Sequence, residues 1–200
     1  GFAGPFTLSS PEEMHAIKHD LEQLIEERRA SEVIYSAVTP DSGDGSPLET
    51  IYDAHLYDDI VKSLVSHPNI VSVVKGLLGK DVALWRSTFW IKPPGGRRTE
   101  WHQDTYKAEG FGSFTNLNAW LAVDKAIEDN CVWLVEGSHL NIIDLKDFKA
   151  ASYINDLKSQ DGLPIPPACG AKKITKMTLK PGQSFIFDGR VLHRSPSNRS

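Results

Sequence analysis

Two hundred residues, 40% of them hydrophobic and 24% charged, describe one globular domain with a core of its own. A net charge of −4 and a pI near 6.0 exclude the basic surface that a nucleic-acid binder needs. No apolar run approaches the roughly 18–20 residues of a bilayer span, and two cysteines, Cys131 and Cys169, are too few for a disulfide framework, which points to a reducing cytoplasm.

The first predicted element is a helix. Ser10-Pro11-Glu12-Glu13 supplies an N-cap serine, a proline at the first helical position and a glutamate that completes a capping box. Met14, Ile17, Leu21, Leu24 and Ile25 then recur at helical spacing, carrying the helix to about Ala30. His15 and His19 lie one turn apart on it and read as its solvated flank rather than as a metal pair. Residues 31–37 are apolar enough to pack, and 39–47 form a Gly/Pro/Ser/Asp loop. A second helix is expected over 53–66, burying Ile60, Val61, Leu64 and Val65, and a third from Pro68 through Leu78 to a Gly79 stop. His55 and His67 belong to this helical part, with surface or capping roles expected.

From about Val82 the pattern changes to strands, predicted at 82–91, 99–104, 116–123, 132–135, 174–179, 184–187 and 191–193. Short strands separated by Gly/Pro turns predict an antiparallel sandwich or jelly roll rather than a parallel sheet. Cys131, at the head of the strand 132–135, reads as a small buried side chain. Residues 144–158 read as a helix or lid, and Pro164-Ile165-Pro166-Pro167 as a stiff connector. The expectation is therefore a single domain over 1–200, helical over 1–80 and jelly-roll over 82–200. The chain opens without a methionine and stops seven residues after a candidate metal ligand, so the core is expected to be incomplete at its C-terminus. Internal joins are expected at 41–47, 110–115 or 168–172.

The chemistry centres on Trp101-His102-Gln103-Asp104. In an extended backbone the i, i+2 spacing of His102 and Asp104 points both side chains to one face. A third ligand has to come from elsewhere, and His193, closing the apolar run of 184–187 and 191–192, is placed to supply it. Two histidines and a carboxylate on one face form the triad typical of non-haem Fe(II), with other positions left open. A lone His-x-Asp pair also arises by chance on strand ends, so a structural metal, or none, in a jelly-roll binding protein stays open on these residues alone.

The ordered motifs carry a resemblance. Thr99-Glu100-Trp101-His102-Gln103-Asp104, Glu136-Gly137-Ser138-His139, and Lys180 to Phe187 with His193-Arg194-Ser195 resemble the phytanoyl-CoA dioxygenase superfamily of Fe(II)/2-oxoglutarate oxygenases. The opening Gly1 to Phe6, Ser10 to Met14, and Leu84 to Phe89 are similar to its subgroup of carrier-protein-dependent amino-acid halogenases. The resemblance implies a double-stranded β-helix of cupin-like type, with iron on His102, Asp104 and His193, and with 2-oxoglutarate and O2 as cosubstrates. It implies cosubstrate contacts from Thr99, Trp120 and Ser195, and a structural turn at His139. The family's arginine for the distal carboxylate would fall beyond Ser200; Arg190, Arg194 and Arg199 do not match its spacing. In the halogenases the carboxylate position is alanine or glycine, so Asp104 implies hydroxylation rather than halogenation, with desaturation or ring formation as other outcomes. The implied substrate is a small amino-acid-like or natural-product molecule, free or tethered to an acyl or peptidyl carrier protein. Arg97-Arg98 and Lys172-Lys173 are the paired cations that could meet an acidic carrier.

Overall fold

The computed structural model describes residues 1–31, 46–104, 116–142 and 173–200, and the backbone alone of 35–37. The expected lid at 144–158, the connector at 164–167 and the Lys172 half of the second basic pair lie outside the described residues.

The elements run β1 (Phe2–Thr7), α1 (Pro11–Ala30), β2 (Tyr35–Ala37), β3 (Leu48–Tyr52), α2 (Asp59–Val65), α3 (Pro68–Leu78), β4 (Thr88–Ile91), β5 (Thr99–His102), β6 (Leu117–Leu121), β7 (Val132–Val135), β8 (Ile174–Met177), β9 (Gln183–Asp188) and β10 (His193–Ser195). The strands form three antiparallel sheets, ordered β1-β9-β6, β5-β10-β7-β8 and β2-β3-β4. The first two pack face to face. Phe185 and Phe187 of β9 share one apolar cluster with Trp101 of β5 and with Trp133, Leu134 and Val135 of β7. This is the mainly β, jelly-roll architecture expected from the strand pattern, with helices on its flank.

Helix α1 starts as its capping box dictates. Ser10 Oγ accepts from Glu13 N at 3.1 Å, and Ser10 N donates to Glu13 Oε2 at 2.8 Å. Its apolar stripe buries Leu21 and Leu24 beside Ile51 of β3 and Val61 of α2, with Phe89 and Ile91 of β4 packed alongside. Burial of each such side chain stabilises the fold by about 1.5–3 kcal/mol before entropy is counted. Helix α1 is thereby fixed on the outer face of β2-β3-β4, while alternation sends Trp90 and Lys92 to the other side.

Several boundaries differ from expectation. The sheet does not begin at Val82, because β1, β2 and β3 precede it. Strand β1 is hidden by Gly4-Pro5, tolerable because β1 is an edge strand with a register shift between Ala3 and Phe6. Gly4 has φ +129°, and a Cβ there would stand 2.9 Å from Phe185 Cβ. The helix expected at 53–66 is broken: Asp53 takes φ 56°, a 3-10 turn covers Ala54–Leu56, and Asp58 caps a fresh start by accepting from Val61 N at 2.8 Å. Of the strand expected at 82–91 only 88–91 is paired, and the one expected at 191–193 starts at His193. Helix α3 matches its expected range but buries none of its residues fully.

Candidate metal centre

Pairing of β5 with β10 places His102 directly opposite His193, with ring centroids 4.1 Å apart. His193 also pairs with Leu134 of β7 and meets the edge of Phe187 from the opposing sheet at 4.9 Å. Asp104 lies two residues past the end of β5. Its backbone is held by Asp104 N donating to Gly189 O at 2.8 Å, in the turn that joins β9 to β10. Its carboxylate oxygens stand 3.6 Å from His102 Nε2 and 3.7 Å from His193 Nε2. Among the described residues these three form the one cluster of metal-ligating side chains, with donor atoms within 4.8 Å of one another.

The donor chemistry fits a divalent first-row metal. His102 Nδ1 donates to Glu100 O at 2.8 Å, and His193 Nδ1 donates to Val191 O at 2.9 Å. Each bond fixes the tautomer whose Nε2 lone pair faces the cluster, the outer hydrogen bond typical of metal-bound histidines. Burial, together with His102 alongside, pushes His193 down to about 3, so its imidazole is the neutral form a metal requires. Burial raises the Asp104 carboxyl above its ordinary range, against the pull of His102 and a hydrogen bond from Asn118. A bound cation would reverse that balance.

Around the triad the other expected residues separate. Thr99 and Ser195 do meet: they are cross-strand partners, Ser195 N donates to Thr99 Oγ1 at 2.7 Å, and the two hydroxyls lie 3.0 Å apart. Trp120 is half-buried on β6 and packs on Phe185, with ring centroids 5.7 Å apart. Arg190 pairs with Asp188, and Arg194 is buried over the rings of Trp101 and Trp133, so both face away from the ligands. His139 follows Gly137 (φ 80°) in a 3-10 turn whose Ser138 Oγ accepts from Leu192 N, bracing the approach to His193. His15 and His19 are exposed, His55 bonds Ser87, and His67 caps α3 by accepting from Asn69 N. Cys131 is buried, with its thiol pushed up to about 11.

Two polar residues near the ligands were not singled out by sequence. Lys92 reaches from the end of β4 to donate to Ser195 Oγ at 2.5 Å and to Pro196 O at 2.8 Å, and burial lowers its ammonium to about 8. The period-2 alternation of Thr88, Trp90 and Lys92 was the available signal, masked by reading Lys92-Pro93-Pro94 as turn alone. Asn118 of β6 donates to Asp104 Oδ2 at 2.6 Å, and nothing in its local sequence distinguishes it from an ordinary strand residue. Gln103, between the two ligands, is fully buried and donates to Asn141 O at 2.9 Å and Arg190 O at 2.5 Å.

Fold and donor set together define a jelly-roll protein with a two-histidine, one-carboxylate metal triad. The chain belongs to the phytanoyl-CoA dioxygenase family, whose model matches residues 1–200. It is 28% identical over 211 residues to an ectoine dioxygenase of Bordetella bronchiseptica, covering 100% of this chain and 68% of that protein. It is 25% identical over 150 residues to mouse (Mus musculus) phytanoyl-CoA dioxygenase domain-containing protein 1, covering 73% of this chain and 50% of that one. The matched region is thus about half to two-thirds of each relative's length. Among solved structures, the non-heme alpha ketoglutarate dependent carbocyclase SnoK from nogalamycin biosynthesis superposes with a TM-score of 0.71 at 19% identity, over 99% of this chain and 83% of that one. That similarity is one of fold.

Proposed function

We propose that this chain is the core of an Fe(II)/2-oxoglutarate-dependent oxygenase that hydroxylates an unactivated C–H bond of a small amino-acid-like or natural-product substrate. The observation that carries this reading is the complete donor set, with both imidazoles locked in the ligating tautomer. Iron bound by His102, Asp104 and His193 supplies the redox chemistry of O2 activation. The chain's own task is to hold the partners. Lys92, Thr99 and Ser195 form a compact group of one cation and two hydroxyls beside the ligand strands, suited to a carboxylate of 2-oxoglutarate. Trp120, next but one to Asn118 on β6, serves as an apolar wall for the same molecule. Asp104 supplies the hard anionic ligand that leaves chloride no obvious position, which favours hydroxylation over halogenation.

Anaerobic addition of Fe(II) and 2-oxoglutarate should give a weak visible charge-transfer band. A protein that binds iron without that band upon cosubstrate addition is a structural metalloprotein, and the oxygenase reading fails. Comparing free amino acids, coenzyme A thioesters and carrier-bound thioesters identifies the substrate form, and product analysis separates hydroxylation from desaturation and ring formation.

A further inference from the structure

The hydrogen bond from Asn118 to Asp104 joins opposing sheets. Asn118 sits in β6, paired with Phe187 of β9, whereas Asp104 follows β5 on the other sheet. The backbones on both sides are set by one short turn. Gly189 O accepts from Asp104 N at 2.8 Å, and Gly189 N donates to Asn116 O at 3.1 Å, two residues before Asn118. A Cβ at Gly189 would fall 2.2 Å from Asn116 Oδ1, so a larger residue there would have to displace the Asn116 side chain. The adjacent Arg190 O accepts from the Gln103 amide, which ties down the residue just before Asp104. The backbones that carry Asn118 and Asp104 are therefore held beside one another by main-chain hydrogen bonds to the same glycine.

The contact has a chemical consequence. A carboxylate can bind a metal through one oxygen or through both. Asp104 Oδ2 already accepts a charge-assisted hydrogen bond of 2.6 Å from Asn118, which draws electron density from the oxygen that two-oxygen binding would also use. Oδ1, 3.6 Å from His102 Nε2, carries no such bond among the contacts described. We propose that Asn118 is a positioning residue that restricts Asp104 to one-oxygen coordination and so keeps a coordination position free for 2-oxoglutarate. This rests on the reading of the triad as the iron centre. A purely structural Asn118, present to satisfy a part-buried carboxylate, would influence stability and leave coordination unchanged.

The test uses Co(II) as the metal, with wild type, Asn118→Leu and Asn118→Val; the valine variant suits a strand should leucine fail to fold. Three quantities are read: Co(II) affinity, the cobalt d–d spectrum before cosubstrate, and 2-oxoglutarate affinity of the Co(II) form, with metal-free melting temperatures as control. The expected result is Co(II) affinity within about threefold of wild type, an altered d–d spectrum, and 2-oxoglutarate affinity lower by roughly 10- to 100-fold, the usual range for outer-shell partners. An unchanged spectrum with unchanged 2-oxoglutarate affinity overturns the proposal. So do losses of Co(II) affinity and melting temperature that run together, since they mark a structural role. Wild type that fails to bind Co(II) instead overturns the metal centre, a result separate from any behaviour of Asn118.

Discussion

The sheets around the triad and the helical flank are held together differently. In the flank, α1, α2 and β3 meet through Leu21, Leu24, Ile51, Ala54 and Val61, an apolar contact with little polar content. Around the triad, Gln103, Ser138, Asp188, His193, Arg194 and Ser195 are all buried, while Thr50 is the one deeply buried polar residue in the flank among those described. Apolar packing is forgiving and non-directional, whereas buried polar groups demand specific partners. Buried polar side chains are thus concentrated where ligand atoms must be held. The flank can leave Leu77, Leu78, Leu84 and Trp85 exposed.

The largest expected effect falls at the ligand itself. On the proposed oxygenase function, Asp104→Ala should lower hydroxylation by more than the roughly 100-fold that outer-shell changes cost, since the metal would lose a ligand and its charge. The vacated position should admit chloride without efficient chlorination, because a small misplacement of the target carbon already costs about 100-fold. Following both products and 2-oxoglutarate consumption in excess chloride checks this; full hydroxylation by the variant would mean that Asp104 is not a ligand.

A matched pair of core truncations compares the two regions directly. Leu134→Ala, beside His193, should cost about 3–5 kcal/mol and Leu24→Ala, under the helices, about 2–3 kcal/mol. Urea unfolding gives both numbers. Only the first should also weaken Co(II) binding, and equal effects on metal affinity would erase the distinction between the regions.

Lys92→Met should lower 2-oxoglutarate affinity by roughly 10- to 100-fold, the value of a charge-assisted hydrogen bond worth about 1.5–3 kcal/mol. The pH dependence has a definite sign. Burial lowers the Lys92 ammonium from 10.5 to about 8, so between those values the folded chain holds fewer protons than the unfolded one, and stability rises with pH across that window. Cosubstrate affinity should fall as pH rises above 8, because the charged form is lost. In Lys92→Met both slopes should flatten, and titration calorimetry across pH 7–10 would reveal unchanged slopes if Lys92 plays no part.

The smallest effect belongs to the flank surface. Leu77→Ser, at the exposed end of α3, should shift stability by no more than about 0.5 kcal/mol and leave metal binding untouched. A larger loss on urea unfolding would show that α3 is more tightly packed than its exposure indicates.

Sequence by itself determined what local chemistry encodes. The capping box of α1 and the Gly79 stop of α3 are legible because their hydrogen bonds span only three or four residues. The His102–Asp104 pair is legible because strand alternation is a two-residue rule, and His193 could be added because an apolar run led into it. Other features required the tertiary structure. Strand β1 exists because β9 offers it an edge, against the local preference of Gly4-Pro5. The break at Tyr57 and Asp58 reflects two residues outside the helical region (φ −138° and −126°) that helical periodicity does not register. Lys92 meets Ser195 across 103 residues and Asn118 meets Asp104 across 14. Alternation could place the face of Lys92, but neither pairing has a local signature, because side-chain partners on different sheets are chosen by register and twist, which only the assembled fold supplies.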